Sequence, residues 1–396
     1  MIGLDLEQGW PNEAWVAKLR STGWTHHPVD QFILKLSGRC NLACAYCYVY
    51  TGPDQSWAHR PSHMSSATLD KTIQRITEHC LDHDLRDISV VLHGGEPLIL
   101  GAKALHNFLM AISNGLPTTI RPRFAVQTNA TLINQDLLDV LRLHSVRVGV
   151  SLDGDAHSDR HRAFRGSDRP SFAATEAGLA QLRSAPYRHL FSGILAVIDP
   201  ESDPVVVYEA LLRYGPPTID FLLPHANWSA RPVHSYAPWL SAAFDRWYGT
   251  PQAETHVVLF EEIVNLLLGG SSRCEQVGLS ATTFVIIDTD GSIQQTDALK
   301  TAWPGGPETG LNVLHDPIDA VFEHPMVVAR QAGLAALADC CVDCELVHTC
   351  GGGHFAHRYR NQDGFRNPSV YCADLASFIR HVDGRLRSDL HQLSVR

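Results

Sequence analysis

From Gln31 onward the chain repeats one pattern: a short apolar run, then a longer segment with apolar residues at helical spacing. The runs are QFILKLS, ISVVLHGG, RFAVQTN, VRVGVSLDG, HLFSGILAVI and IDFLLPH, the last ending at His225. Between them, Ser66 to Asp82 carries Leu69, Ile73, Ile76 and Cys80 at helical intervals, and helical segments are predicted at Ala102–Ser113, Gln135–His144, Ser171–Arg183 and Pro204–Tyr214. Six strand–helix units in succession predict a parallel sheet with right-handed crossovers. Six fall short of the eight that close a barrel, so the expected fold is α/β, a curved and laterally open (β/α)6 partial barrel.

In such folds chemistry gathers where the strands end. The polar motifs of this chain fall at those places: a cysteine loop after the first strand, HGGEP after the second, QTNAT after the third, SLDGD after the fourth and PHANW after the sixth. Beyond about Tyr236 the alternation stops. Helices are predicted over Tyr236–Tyr248 and Thr255–Leu268, and TTFVIIDTDGSIQQ reads as a β-hairpin turning at Asp290-Gly291. A glycine- and cysteine-rich stretch follows, then a last helix near Ala373–Arg387. The expected organisation is an N-terminal extension (1–30), the partial barrel (31–250) and a cysteine-rich unit (251–396).

The 396 residues carry 32 basic and 42 acidic side chains, a net charge of −10. That balance argues against a nucleic-acid surface, which needs a basic field. No run of about 18 apolar residues predicts a membrane span. The acidic start MIGLDLEQGW lacks the pattern of a signal peptide, so a cytoplasmic protein is expected. In that reducing compartment the ten cysteines are not expected to form structural disulfides. Cys80, on an apolar helix face, reads as a buried small hydrophobe. Two tight groups at opposite ends of the chain read as metal or cluster ligands.

The first group is Cys40, Cys44 and Cys47, in CNLACAYC. Thiolates suit zinc or iron–sulfur clusters. A structural zinc takes four protein ligands, and no fourth is adjacent. Three thiolates on a four-iron cube leave one iron for a small molecule. CNLACAYC resembles the CxxxCxΦC signature of radical SAM enzymes, with Tyr46 at the aromatic position. The resemblance implies a [4Fe–4S] cluster whose open iron binds S-adenosylmethionine and cleaves it to a 5′-deoxyadenosyl radical. It also implies that Gly94, Gly95 and Glu96 of HGGEP receive the methionine amine, Gly94 and Gly95 allowing close approach of the backbone and Glu96 accepting hydrogen bonds. Ser151 and Asp153 are candidates for the ribose or the methionyl carboxylate, and Arg162 for pairing with that carboxylate. Gln127 and Asn129 stand above the same face, as ligand contacts or as turn residues.

The second group is Cys341, Cys344 and Cys350, followed by Cys372. It resembles the SPASM extension, which carries auxiliary [4Fe–4S] clusters beside a radical SAM barrel. The pattern is incomplete. Three residues after Cys350 the chain has His354, and after the hairpin it reads Gln295-Thr296-Asp297 where another cysteine is expected. One four-cysteine auxiliary cluster is implied; a second would draw on Cys274, Cys340 and His354. A zinc ribbon at the intact site stays open on spacing. His348 and His357 are taken as structural. Asp297 occupies the place of the base aspartate of sulfatase-maturating SPASM enzymes and is the candidate catalytic acid–base group.

HHPVDQFILKLSGRCNLACAYCYVY, FLLPHANW, DGSIQQTDALKTAWPG and CGGGHFAHRY resemble the FxsB group of radical SAM/SPASM proteins. That resemblance implies a C–C bond between an aromatic ring and a β-carbon two residues along a ribosomal precursor peptide, a three-residue cyclophane. Its partners would be the precursor peptide and an electron donor such as flavodoxin or ferredoxin. With no winged-helix segment in the sequence, leader recognition is expected from the chain's own surface or a separate protein. His225, Asn227 and Trp228 are candidates for the peptide pocket. Two alternatives stand beside this reading: a formylglycine-forming protein oxidase, and a zinc-binding interaction module.

Overall fold

The computed structural model describes residues 10–394; residues 1–9, the start of the expected N-terminal extension, lie outside the described residues. A first helix, α1 (Glu13–Ser21), is capped by Asn12, whose side chain accepts from the Trp15 N–H. It precedes β1 (Gln31–Ser37), α2 (Ser66–Asp82), β2 (Asp87–Gly94), α3 (Gly101–Gly115), β3 (Arg121–Thr128), α4 (Gln135–Leu143), β4 (Arg147–Ser151), α5 (Phe172–Leu182), β5 (Phe191–Val197), α6 (Pro204–Leu212) and β6 (Thr218–Leu222). β1 to β6 are consecutive parallel neighbours. The expected α/β partial barrel is present.

Strand burial explains the apolar runs. In β2, Val90 and Leu92 are fully buried under the helices, whereas the alternate Val91 and His93 face the concave side. A parallel sheet covered on both faces demands this doubled apolar character. The helices start where short polar side chains satisfy free N–H groups. Ser65 accepts from Thr68 N, Asn134 from Leu137 N, and Asp203 from Val205 N ahead of Pro204. Cys80 is buried in α2, packed in the core as its position implied.

Beyond β6 come α7 (Ala237–Tyr248), β7 (His256–Val257) and α8 (Val258–Leu267). The helix expected from Thr255 begins later, because His256 and Val257 pair with β6. The hairpin is β8 (Phe284–Ile287) and β9 (Ser292–Gln294), with β10 (Glu308–Asn312) antiparallel beyond it. β8 also lies parallel against β1. One ten-stranded sheet therefore runs β10-β9-β8-β1-β2-β3-β4-β5-β6-β7. The chain after residue 250 thus extends the barrel's own sheet at both edges. Short helical turns α9 (Pro325–Ala329), α10 (Asp339–Val342) and α11 (Val347–Cys350) lead to α12 (Cys372–Ser394). Phe378 of α12 packs on Phe244 of α7 and Phe260 of α8. Asp374 accepts from Tyr236 N and Ala237 N, so α12 caps α7 from far along the sequence. No described helix is long and apolar enough to cross a membrane.

Candidate active site

A solvent-open cavity of about 190 Å³ lies at the C-terminal ends of the strands. Cys40, Cys44 and Cys47 line it from the loop after β1. Tyr46 of the same loop joins them, and the other strand ends bring Gly94, Gly95, Glu96, Gln127, Asn129, Ser151, Asp153 and Arg162 to the same space. Every residue assigned to cofactor binding from the sequence therefore faces one cavity. Asp297 does not line it, and neither do Asn227 and Trp228. Asn227 is buried with its side-chain amide on Thr301 O, and the Trp228 indole N–H donates to Pro368 O. These two residues brace the turn after β6, while His225 beside them lines the cavity.

Much of this polar set also holds the cysteine loop in place. Glu96 accepts from Leu98 N (3.0 Å), Thr128 Oγ1 (2.8 Å) and Asn129 N (2.8 Å). Asn129 donates to Asn41 Oδ1 (2.9 Å) beside Cys40. Gln127 donates to Ser151 Oγ (2.9 Å) across β3 and β4. Gly149 leaves room for this, since a Cβ there would lie 2.3 Å from Gln127 Oε1. Gly95 serves the loop as well: a Cβ would meet Tyr50 Oη at 2.0 Å and Arg39 O at 2.4 Å. The glycine pair of HGGEP lets strand β2 press against the loop, a packing reason that the sequence did not display.

The Tyr46 hydroxyl donates to Asp153 Oδ2, and Asp153 Oδ1 accepts from Val197 N (2.9 Å). Arg162 donates from Nη1 to Tyr46 Oη (3.2 Å) and sets Nε 3.2 Å from Asp159 Oδ1. One buried guanidinium thus pairs with buried Asp159 directly and with buried Asp153 through the Tyr46 hydroxyl. Burial pushes Asp159 up to about 7, and its Oδ2 has no partner. Sequence reasoning missed Asp159; its signal was the spacing of three from Arg162, which brings the two together on one turn. His93 was missed also. It lines the cavity, burial lowers its pKa so that the ring stays neutral, and Nδ1 has no partner.

Asp297, 5 % exposed, is held by Lys35 Nζ at 2.6 Å. Lys35 also binds Asp288 Oδ2 (2.9 Å) and Gln294 Oε1 (3.0 Å). A lysine reaching inward from β1 thereby ties the hairpin to the barrel.

The donor chemistry fits an iron–sulfur cluster. Burial pushes Cys40 up to about 12 and Cys44 up to about 11, and thiols so hard to ionise become thiolates by coordinating a cation. Among the described residues, the groups of three ligand atoms within 4.8 Å of one another are His225–His354–His357 and His79–His83–Asp319. The thiols are thus set wider than the close tetrahedron of a single zinc. At the C-terminal site Cys341, Cys344 and Cys350 are half-buried, and Cys340 and Cys372 are exposed. Arg358 is buried beside them, donating to the carbonyls of Gly351, Gly352 and Gly353. Those glycines have φ of +59°, +75° and +68°, and a Cβ on Gly351 would lie 1.7 Å from Gly278 O. That explains the triple glycine after Cys350.

Residues 34–209 match the family model of the Radical SAM superfamily, a family that uses a [4Fe–4S] cluster and S-adenosylmethionine. The chain is 23% identical over 389 residues to the cysteine-type anaerobic sulfatase-maturating enzyme of Clostridium perfringens strain 13, covering 91% of this chain and 97% of that one. It is 29% identical over 185 residues to the serine-type enzyme of Klebsiella aerogenes, covering 46% and 43% of the two chains. Among solved structures, native anSMEcpe with bound AdoMet and Kp18Cys peptide superposes with a TM-score of 0.76 at 20% identity, covering 91% of this chain and 99% of that one. Streptococcus suis SuiB bound to precursor peptide SuiA gives 0.59 at 14% identity, covering 91% and 79%. These superpositions establish a shared fold that includes the region after the barrel.

Proposed function

We propose that this chain is a radical SAM maturase of ribosomal peptides that joins an aromatic ring carbon to a β-carbon two residues away, forming a three-residue cyclophane. The observation that carries the reading is the wall facing the thiol trio. Leu195, Val197, Leu222, Leu223 and Pro224, from the ends of β5 and β6, line the cavity with apolar surface that can receive an aromatic side chain. The resemblance to the FxsB group and the peptides in the structures of anSMEcpe and SuiB support a peptide substrate.

Cys40, Cys44 and Cys47 would hold the cluster that binds S-adenosylmethionine; Cys341, Cys344, Cys350 and Cys372 would hold an auxiliary cluster. When bound, these groups supply a hydrogen-abstracting 5′-deoxyadenosyl radical and an electron acceptor. The protein's own residues position the substrate and move the proton. Tyr46, Asp153 and Arg162 hold the cysteine loop against β4 and β5. Coupling removes two hydrogens from the substrate, one as an atom and the other as an electron and a proton. His93 Nδ1 is the acceptor for that proton, being neutral, unpartnered and in the cavity wall. Asp297 acts from behind it, its charge favouring the protonated ring. The external partner would be a flavodoxin- or ferredoxin-type electron donor, and the setting a reducing cytoplasm.

The formylglycine-forming reading stands second, favoured by the match to sulfatase-maturating enzymes over nearly the whole of both chains. Co-expression with candidate precursor peptides, then tandem mass spectrometry, separates the two. A crosslink gives a product lighter by two hydrogens that resists fragmentation between the joined residues. An aldehyde captured by a hydrazide would overturn the cyclophane reading.

A further inference from the structure

Beside the cavity, three histidines from distant parts of the chain converge. His225 follows β6, and His354 and His357 flank the turn after the triple glycine. One ring nitrogen of each lies within 4.8 Å of the other two. His225 Nδ1 and His357 Nε2 are 3.2 Å apart, and the ring centroids are separated by 5.0 to 5.4 Å. His354 and His357 are buried, and His225 lines the cavity.

We propose that His225, His354 and His357 bind one divalent metal ion of the zinc class, separate from the cysteine-held clusters, with its remaining position open to the cavity. Nitrogens bound at about 2.0–2.1 Å to a tetrahedral ion stand roughly 3.3 Å apart, close to the separation seen for His225 and His357.

The surroundings carry a further mark of a metal site. His354 Nε2 faces Glu275 Oε2 at 3.7 Å, and Arg330 Nη2 holds Glu275 Oε1 at 2.6 Å. A half-buried carboxylate standing behind a ligating histidine raises its basicity. Ligation through His354 Nδ1 replaces the long bond that this atom accepts from Ala356 N (3.2 Å). The second histidine group among the described residues does not line the cavity. His79 spends Nδ1 on Asp319 and Nε2 on the backbone of Val29, and His83 spends Nε2 on Asp319. Its ligand atoms are committed to one another, and Asp319 is partly exposed. In the His225 group the open side faces the cavity, where water or a substrate oxygen completes the coordination. The proposal is independent of the crosslinking reading, since it concerns a binding site and not the product.

The test uses the full chain with its iron–sulfur content reconstituted anaerobically, incubated with one equivalent of zinc and desalted. Zinc, iron and acid-labile sulfide are measured per chain, for the wild type and for a His225→Gln/His357→Gln variant. The expected result is about one retained zinc in the wild type, lost in the variant, with iron and sulfide unchanged. X-ray absorption at the zinc edge should show nitrogen or oxygen neighbours at about 2.0–2.1 Å and no sulfur shell at about 2.3 Å. Three results would overturn the proposal: no zinc retained by the wild type, a sulfur shell around it, or zinc retained by the variant with iron and sulfide unchanged. The spectrum is read on the wild type alone, so the test survives a variant that fails to fold.

Discussion

The two thiol sites of this chain are built on opposite plans. Cys40, Cys44 and Cys47 sit on one loop against an open cavity, among buried charges that include Arg162, Asp153 and Asp159. Cys341, Cys344, Cys350 and Cys372 are gathered from two turns and a helix start around Arg358, with Cys372 at the surface. The first site leaves space where a small molecule can bind beside the sulfurs. The second gathers half-buried and surface thiols around a buried cation. The difference teaches that ligand count and surroundings go together: a site missing one protein ligand is useful only if the cavity beside it is kept open and polar.

The sharpest way to break the comparison is to remove one thiol from each site. Cys44→Ala should abolish 5′-deoxyadenosine formation from S-adenosylmethionine under reductant, measured by chromatography, while the iron held by the C-terminal cysteines remains. Cys344→Ala should do the reverse. It should lose about four irons per chain by metal analysis, keep 5′-deoxyadenosine formation, and lose the modified peptide. If Cys344→Ala also stops 5′-deoxyadenosine formation, the sites are not separable as described.

The surroundings can be tested next. Gly351→Ala places a Cβ 1.7 Å from Gly278 O at a φ of +59°. The expected cost is about 3 kcal/mol or more, read as a lowered midpoint in urea unfolding, because left-handed strain adds to overlap with backbone. The smallest effect is expected at Asp159, raised by burial from 3.8 to about 7. Between those values the folded chain binds more protons than the unfolded one. This residue's contribution to stability therefore falls as pH rises through that window and is level above it. Asp159→Asn should remove on the order of 1–2 kcal/mol of that fall, since Arg162 already offsets part of the buried charge. Thermal unfolding of both proteins at pH 5 and pH 8 reads the difference.

Much of the fold was legible because strands covered on both faces and amphipathic helices write their periods into the sequence. The bounds of α2, Ser66–Asp82, coincide with the predicted segment. β7 was not legible, since two residues carry no period. The pairing of β8 with β1 was not legible either, because a hairpin's own pattern says nothing about which edge it joins. At the site, residues announced by motifs face the cavity together. Asp297 stands back because Lys35, from the far end of the chain, holds it. Asp159 and His93 were overlooked because what marks them is a lack of partners, visible only once the neighbours are placed.

By itself the sequence determined the strand–helix alternation, the thiol trio and its place at a strand end, since local spacing and period set all three. Tertiary structure alone decided that Gly95 makes room for Tyr50 and Arg39, that Arg162 pairs with Asp159 while holding the Tyr46 hydroxyl, and that His354 and His357, 129 and 132 residues beyond His225, converge on it. Those facts depend on which distant segments touch, and contact between distant segments is fixed by packing the whole core.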